Sequence, residues 1–187
     1  MNLNFIISDS IVLGTLDESD ASELFTLVDQ NREYLKHWLP WLDRNTQLKD
    51  STEFIRSIDP QCRNDGGFTC GAFLEGTLVG ICGFHPVSLI NNCVSIGYWL
   101  TQKKQGQGII TLCVKFFIDY AFKVLELNKV LISAAVGNSK SRAVCERLGL
   151  KNEGIDREGE FLYGQYVDLV RYSMLRKEWI VQDNKIS

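Results

Sequence analysis

The chain has 187 residues, 45% of them hydrophobic and 23% charged, with a formal net charge of −3. That length fits one domain able to bury a core of its own. The mild acidity argues against an indiscriminate nucleic-acid binder, which carries a basic excess, and leaves cationic acceptors such as amines open.

Six cysteines (Cys62, Cys70, Cys82, Cys93, Cys113 and Cys145) form no C-x-x-C pair, and no histidine stands at zinc-ligand spacing. They fit reduced core thiols, and no metal site is expected. The N-terminal stretch MNLNFIISDSIVLG lacks a basic segment and a small-residue cleavage site, and no apolar run approaches a membrane span. A cytoplasmic protein without membrane contact is expected.

In chain order, residues 11–16 (IVLGTL) predict a strand. Asp20 or Ser19 then caps a helix running to about Gln30, with Ala21, Leu24, Phe25 and Val28 on one face. The segment NREYLKHWLPWLD follows, and a second helix from about Leu48 to Ile58 is expected to end at Pro60. Residues 68–74 and 77–84 predict two strands joined by Glu75-Gly76, a hairpin signal. Residues 93–100 (CVSIGYWL) alternate, with Val94, Ile96, Tyr98 and Leu100 on one face and Ser95, Gly97 and Trp99 on the other. A helix from Ile109 to about Leu125 shows one narrow polar stripe of Thr111, Lys115, Asp119 and Lys123, so it should be buried on most sides. A strand over 130–136, a helix over 139–148 capped by Asn138 or Ser139 and ended by Gly149, and a strand pair within 161–174 complete the pattern. The result is a mixed α/β fold around a central sheet, a single domain over residues 8–179 with a frayed tail over 180–187.

Between the strand and the buried helix lies KKQGQGII, residues 103–110. Glycines just before a helix let backbone N–H groups and the helix dipole approach an anion. A plain turn is the competing reading. The segment is not a P-loop, and it lacks the third glycine of a dinucleotide fingerprint because position 111 is Thr. It matches the first two fixed positions of the acyltransferase pattern Q/R-x-x-G-x-G/A with Gln105 and Gly108, and departs from the last with Ile110. That departure is read as altered helix packing with the cradle kept.

Four collinear segments, NREYLKHWLPWLD, SIGYWLTQKKQGQGIIT, GNSKSRAVCERLGLKNEG and REGEFLYGQYVDLVRYSML, resemble the GNAT superfamily over about residues 8–179, and within it the RimL-like ribosomal-protein N-terminal acetyltransferases. The resemblance implies a mixed, mostly antiparallel sheet flanked by helices, whose fourth strand bulges at Gly97–Leu100 and splays from the fifth. It also implies acetyl-CoA as co-substrate. Trp99 and Leu100 would line the acetyl and pantetheine arm through backbone contacts. Gln105, Gly106, Gln107, Gly108, Ile109 and Ile110 would hold the pyrophosphate, and Asn138 would touch the pantetheine.

Acetyl transfer from a thioester to an amine needs a neutral amine, a donor to the oxyanion and a proton for the leaving thiolate. The resemblance assigns Glu160 as base and Ser141 as proton donor. A turn carboxylate and a helix cap are the competing readings. Tyr98, Tyr163 and Tyr166 stand as alternative donors. Trp38 and Trp41, with Tyr98, are expected to border the acceptor, while His85 is read as structural. The expected function is N-acetylation of a protein α-amino group, typically a ribosomal protein, by a homo-oligomer. An acetyltransferase of polyamines or aminoglycosides and a non-catalytic acyl-CoA-binding module remain open alternatives.

Overall fold

The computed structural model describes residues 4–186, and the side chains of all of these except 59–65 and 182–186. Cys62 therefore lies outside the described side chains. The elements are β1 (Asn4–Ile6), β2 (Ile11–Gly14), α1 (Ala21–Gln30), α2 (Arg32–Lys36), α3 (Leu48–Asp65), β3 (Phe68–Leu74), β4 (Thr77–Phe84), β5 (Cys93–Leu100), α4 (Ile109–Lys123), β6 (Lys129–Ala135), α5 (Ser139–Arg147), β7 (Lys151–Leu162), β8 (Gln165–Leu175) and α6 (Arg176–Ile186). The strands form one sheet in the order β1-β2-β3-β4-β5-β6-β8-β7. Among the described residues, only β5 and β6 run parallel; every other pair is antiparallel.

Several elements differ from their sequence expectation for local reasons. Asp20 holds the N-cap position of α1 as expected, but its side chain caps no α1 group; it reaches back to Asp17 N–H at 2.8 Å, while the Asp17 carboxylate accepts from Ser19 N–H at 2.7 Å. A short 3-10 turn over Glu18–Asp20 leads into the helix. Helix α3 carries through Pro60 and stops where Gly66 takes φ of 72°. A proline removes one hydrogen bond from a helix interior, and the packing of Ile55 and Ile58 against the α1 core holds the helix across that loss. The final strand pair begins ten residues sooner than expected, at Lys151. Where a loose tail is expected after Trp179, the backbone is helical to Ile186.

Two cores sandwich the sheet. On one face, α4 buries Ile109, Ile110, Cys113, Val114, Phe117, Ile118, Ala121 and Phe122. Its polar stripe is bonded in part to α6. Asp119 accepts from Trp179 Nε1 at 2.8 Å, and the Lys115 ammonium stands 5.0 Å above the Trp179 ring. Helix α6 thus covers part of that stripe, while Lys123 at its end stays exposed. On the other face, α1 and α3 pack Leu24, Val28, Ile55 and Ile58 against Leu78 and Ile81 of β4. Strands β6 and β8 bury Ile132, Val170, Tyr172 and Met174 toward α4 and α5, and carry exposed Ser133 and Arg171 on the opposite face.

Candidate active site

The sheet is open in the middle. β5 pairs with β6 only at Cys93–Ser95 against Lys129–Leu131, and then the strands part. The ladder from β5 to β4 meanwhile runs unbroken from Ile96↔Phe84 to Leu100↔Gly80. The expected splay is therefore present, while the expected bulge at Gly97–Leu100 is not; a register shift lies instead between β3 and β4 at Ala72/Phe73. Divergence alone frees the edge groups that a bulge would have freed.

Which backbone groups are freed follows from the ladder. His85 N–H donates to the Ser95 carbonyl and Thr101 N–H to the Val79 carbonyl, both at 2.9 Å. Antiparallel bonding alternates along a strand, so Ser95, Gly97, Trp99 and Thr101 face β4. Ile96 N–H closes the last rung to β6, and beyond it Tyr98 and Leu100 turn their N–H and C=O toward the gap. Of the two residues expected to offer backbone contacts, Leu100 is so placed and Trp99 is not. The Trp99 side chain packs against Trp41, ring centroids 6.4 Å apart, on the opposite face from Tyr98.

The gap widens into a cleft of about 1040 Å³. At one end lies the glycine loop. Gly106 and Gly108 take φ of 76° and 78°, the left-handed region that glycine enters without penalty. A Cβ built at either would meet no protein atom within 4 Å, so the space over the loop is open. The first helical bond of α4 runs from Leu112 N–H to Gly108 O, leaving the N–H groups of residues 109–111 without helical acceptors. Ile109 and Ile110 line the cleft and sink their side chains into the core; the isoleucine at the last motif position is helix packing. Gln105 braces the loop, its amide donating to Tyr34 Oη and its Oε1 accepting from Lys140 Nζ at 2.7 Å. Gln107 is exposed and lies outside the cleft wall.

Beside the loop, Asn138 Oδ1 accepts from Ser141 N–H at 3.1 Å and caps α5. Only its Nδ2 end can donate to a ligand. Tyr98 Oη lies 3.0 Å from Ser141 Oγ and donates to the Ser141 carbonyl at 3.2 Å. Burial pushes the Tyr98 phenol well above its ordinary value, so it holds its proton through the neutral range. Tyr98 lines the same cleft as Trp38 and Trp41 while its hydroxyl is bonded to Ser141. Cys145 sits 3.9 Å from the same hydroxyl, and burial pushes its thiol up to about 11, which removes it as a thiolate nucleophile.

The other end of the cleft holds Glu160. Strand β7 slips register between Asp156 and Glu160, with Glu158 at φ of 53° and its N–H donating to Asp168 Oδ1 at 2.8 Å. The slip seats Glu160 opposite Val167 and turns its carboxyl into the cleft. Among the described residues it has no hydrogen-bond or ion-pair partner. Desolvation alone raises its pKa above the ordinary glutamate value. Trp38 and Trp41 stand on the facing wall, Trp38 reaching within 3.9 Å of a Cβ built on Gly137. His85 also lines this end, its ring so close over Gly97 that a Cβ there would meet Nε2 at 2.7 Å. Arg171, forked to Asp156 and donating to Ser133 Oγ at 3.1 Å, completes the wall. Sequence reasoning did not single out Tyr34 or Arg171; their roles arise from contacts distant along the chain.

A sheet parted between two parallel strands, with a glycine-led helix under the opening, is the architecture of an N-acetyltransferase. The chain belongs to the GNAT acetyltransferases: the family model described as Acetyltransferase (GNAT) domain matches residues 10–151. It is 38% identical over 177 residues to YdaF of Bacillus subtilis (strain 168), a protein named for ribosomal N-acetylation, covering 92% of this chain and 95% of that one. It is 27% identical to the ribosomal-protein-serine acetyltransferase of Escherichia coli (strain K12), over 90% of this chain and 94% of that one. The solved structure of RimL, a ribosomal L7/L12 α-N-protein acetyltransferase in complex with coenzyme A, superposes with a TM-score of 0.86 at 26% identity, covering 92% of this chain and 98% of that one. Among the described residues no group of three or more His, Cys, Asp or Glu side chains could hold a metal ion, and no helix is long and apolar enough to cross a membrane.

Proposed function

We propose that this enzyme acetylates the N-terminal α-amino group of a protein, with a ribosomal protein as acceptor, using acetyl-CoA. The observation that carries this reading is the through-sheet cleft with a desolvated carboxyl, Glu160, at one end and a protonated hydroxyl pair, Tyr98–Ser141, at the other. Relatives named for ribosomal-protein acetylation support the acceptor class. The open glycine cradle and the free N–H groups of α4 fit a pyrophosphate, and the free edge of β5 fits an amide-bearing arm. When bound, acetyl-CoA supplies the acetyl group as a thioester.

This chain's residues do the rest. The N–H groups that Tyr98 and Leu100 turn into the gap can donate to an acyl oxygen. Glu160 takes the proton from an acceptor ammonium, whose pKa of about 8 needs only a modest base. In this reading Tyr98 Oη gives its proton to a departing thiolate, with Ser141 Oγ, 3.0 Å away, orienting it. The enzyme works in the cytoplasm as a homo-oligomer in this reading, and light scattering tests the latter.

Thiol release from acetyl-CoA with ribosomal N-terminal peptides, spermine and aminoglycosides tests the acceptor. Turnover confined to peptide amines is expected. Turnover confined to polyamines overturns the acceptor class, and tight acetyl-CoA binding without turnover on any amine points to a binding module. A second result separates the two hydroxyls. Tyr98→Phe should lower kcat by about a hundredfold, whereas Ser141→Ala, which leaves the Ser141 carbonyl as a partner, should cost roughly tenfold or less. The reverse order would make Ser141 the donor.

A further inference from the structure

One side chain fastens the β7–β8 hairpin to the segment that carries Trp38 and Trp41. Tyr163, at the tip of the β7–β8 hairpin, donates its hydroxyl proton to the Leu39 carbonyl at 2.7 Å and accepts from Leu42 N–H at 3.0 Å. The Lys36 ammonium stands 4.4 Å above its ring. The two backbone groups flank Pro40, which has no N–H of its own to offer. A turn poor in internal bonds is thus closed by a hydroxyl from more than 120 residues away in the chain.

Tyr163 is a poor residue for the hairpin itself. Tyr163 and Gly164 are the two loop residues between Leu162 and Gln165, with φ of 46° and 96°. Turns of that kind favour asparagine at the first position, since a bulky L residue is strained at positive φ. The strain is offset by the bonds across the cleft. The hairpin arm carries Glu160 three residues before the tip, and the clamped segment carries Trp38 and Trp41. We propose that Tyr163 is a positioning residue for the acceptor: it locks the hairpin tip to the tryptophan wall, so that Glu160 and the wall stand at a fixed separation. The proposal rests on the acceptor reading above. Its contacts all lie at the Glu160 end; the loop that holds the other end is braced separately, by Tyr34, Gln105 and Lys140.

The test pairs Tyr163→Phe with Tyr163→Asn. The first removes both hydrogen bonds and keeps the ring. The second installs the Asn-Gly pair this turn favours and removes the clamp, so a residue serving only the turn would leave this variant as good as wild type or better. Acceptor kcat/KM should fall about tenfold or more in both, chiefly through acceptor KM, with acetyl-CoA affinity changed by less than about twofold and the melting temperature of Tyr163→Asn not lowered. Unchanged acceptor kcat/KM in both variants, or a matching loss of acetyl-CoA affinity, overturns the proposal. Should wild type turn over no amine, the acceptor reading fails and the clamp is judged by amide exchange: faster exchange at Leu42 and over 158–165 in Tyr163→Phe supports it, and unchanged exchange overturns it.

Discussion

Glu160→Gln should lower kcat/KM for the acceptor on the order of 10²–10³-fold at neutral pH while leaving acetyl-CoA binding intact. The carboxyl is half-buried, and its pKa is raised by desolvation alone. A base with a raised pKa is lost at a higher pH than an ordinary glutamate. In wild type, kcat/KM should therefore fall as pH drops through a value above the usual glutamate range, and the glutamine variant should lack that limb. The sign for folding runs the other way. Burial disfavours the charged form in the native state, so this group works against stability above its folded pKa. Neutral glutamine relieves that, and the melting temperature should hold or rise. A variant that keeps its activity within about threefold would place the base elsewhere.

Phe117→Ala should be the most damaging single truncation. The ring is fully buried, edge-on to Phe84 at 4.8 Å, and in contact with Phe68 and Phe116. Emptying such a site costs about 3–5 kcal/mol, against a total stability of roughly 5–15 kcal/mol for a domain. Thermal denaturation should show a drop of about 10 °C or more. The loss reaches the site, because Phe117 anchors the helix whose first turn carries the free N–H groups of the loop. Acetyl-CoA affinity should weaken in parallel, as measured by titration calorimetry below the new melting temperature. A drop under about 3 °C would mean that the neighbouring rings refill the space.

How much was legible in the chain depended on whether a feature is written locally. The alternation of CVSIGYWL predicts both faces of β5, and Glu75-Gly76 predicts a turn in which both residues take positive φ. The four-residue polar stripe of α4 predicts a helix buried elsewhere, as found. Strand β1 is three residues long, too short for any periodic signal. The first ten residues of β7, KNEGIDREGE, are mostly exposed on both faces and carry no alternation to read. At the site, the glycine loop is legible from its own pattern and Asn138, Ser141 and Glu160 through resemblance, and all of these except Gln107 line one cleft. The direction of each backbone group is not legible, because it depends on which strand partners β5 on each side. Tyr98 and Trp99 are adjacent in sequence and serve opposite faces of the sheet. The Tyr163 clamp, spanning most of the chain, leaves no trace in any short window.

The parting of β5 from β6 has a mechanical consequence. The sheet is two half-sheets hinged at three residue pairs, Cys93–Ser95 with Lys129–Leu131. Beyond that hinge α4 still packs against both halves in one core, but between the strands runs a row of backbone groups with no strand to satisfy them. Whatever lies in the row acts as a seam. A molecule that bonds both edges adds its binding free energy to the cohesion of the whole domain, at roughly 2.7 kcal/mol when present at a hundred times its dissociation constant. Binding and cohesion would then draw on one set of hydrogen bonds, those along the parted edges of β5 and β6.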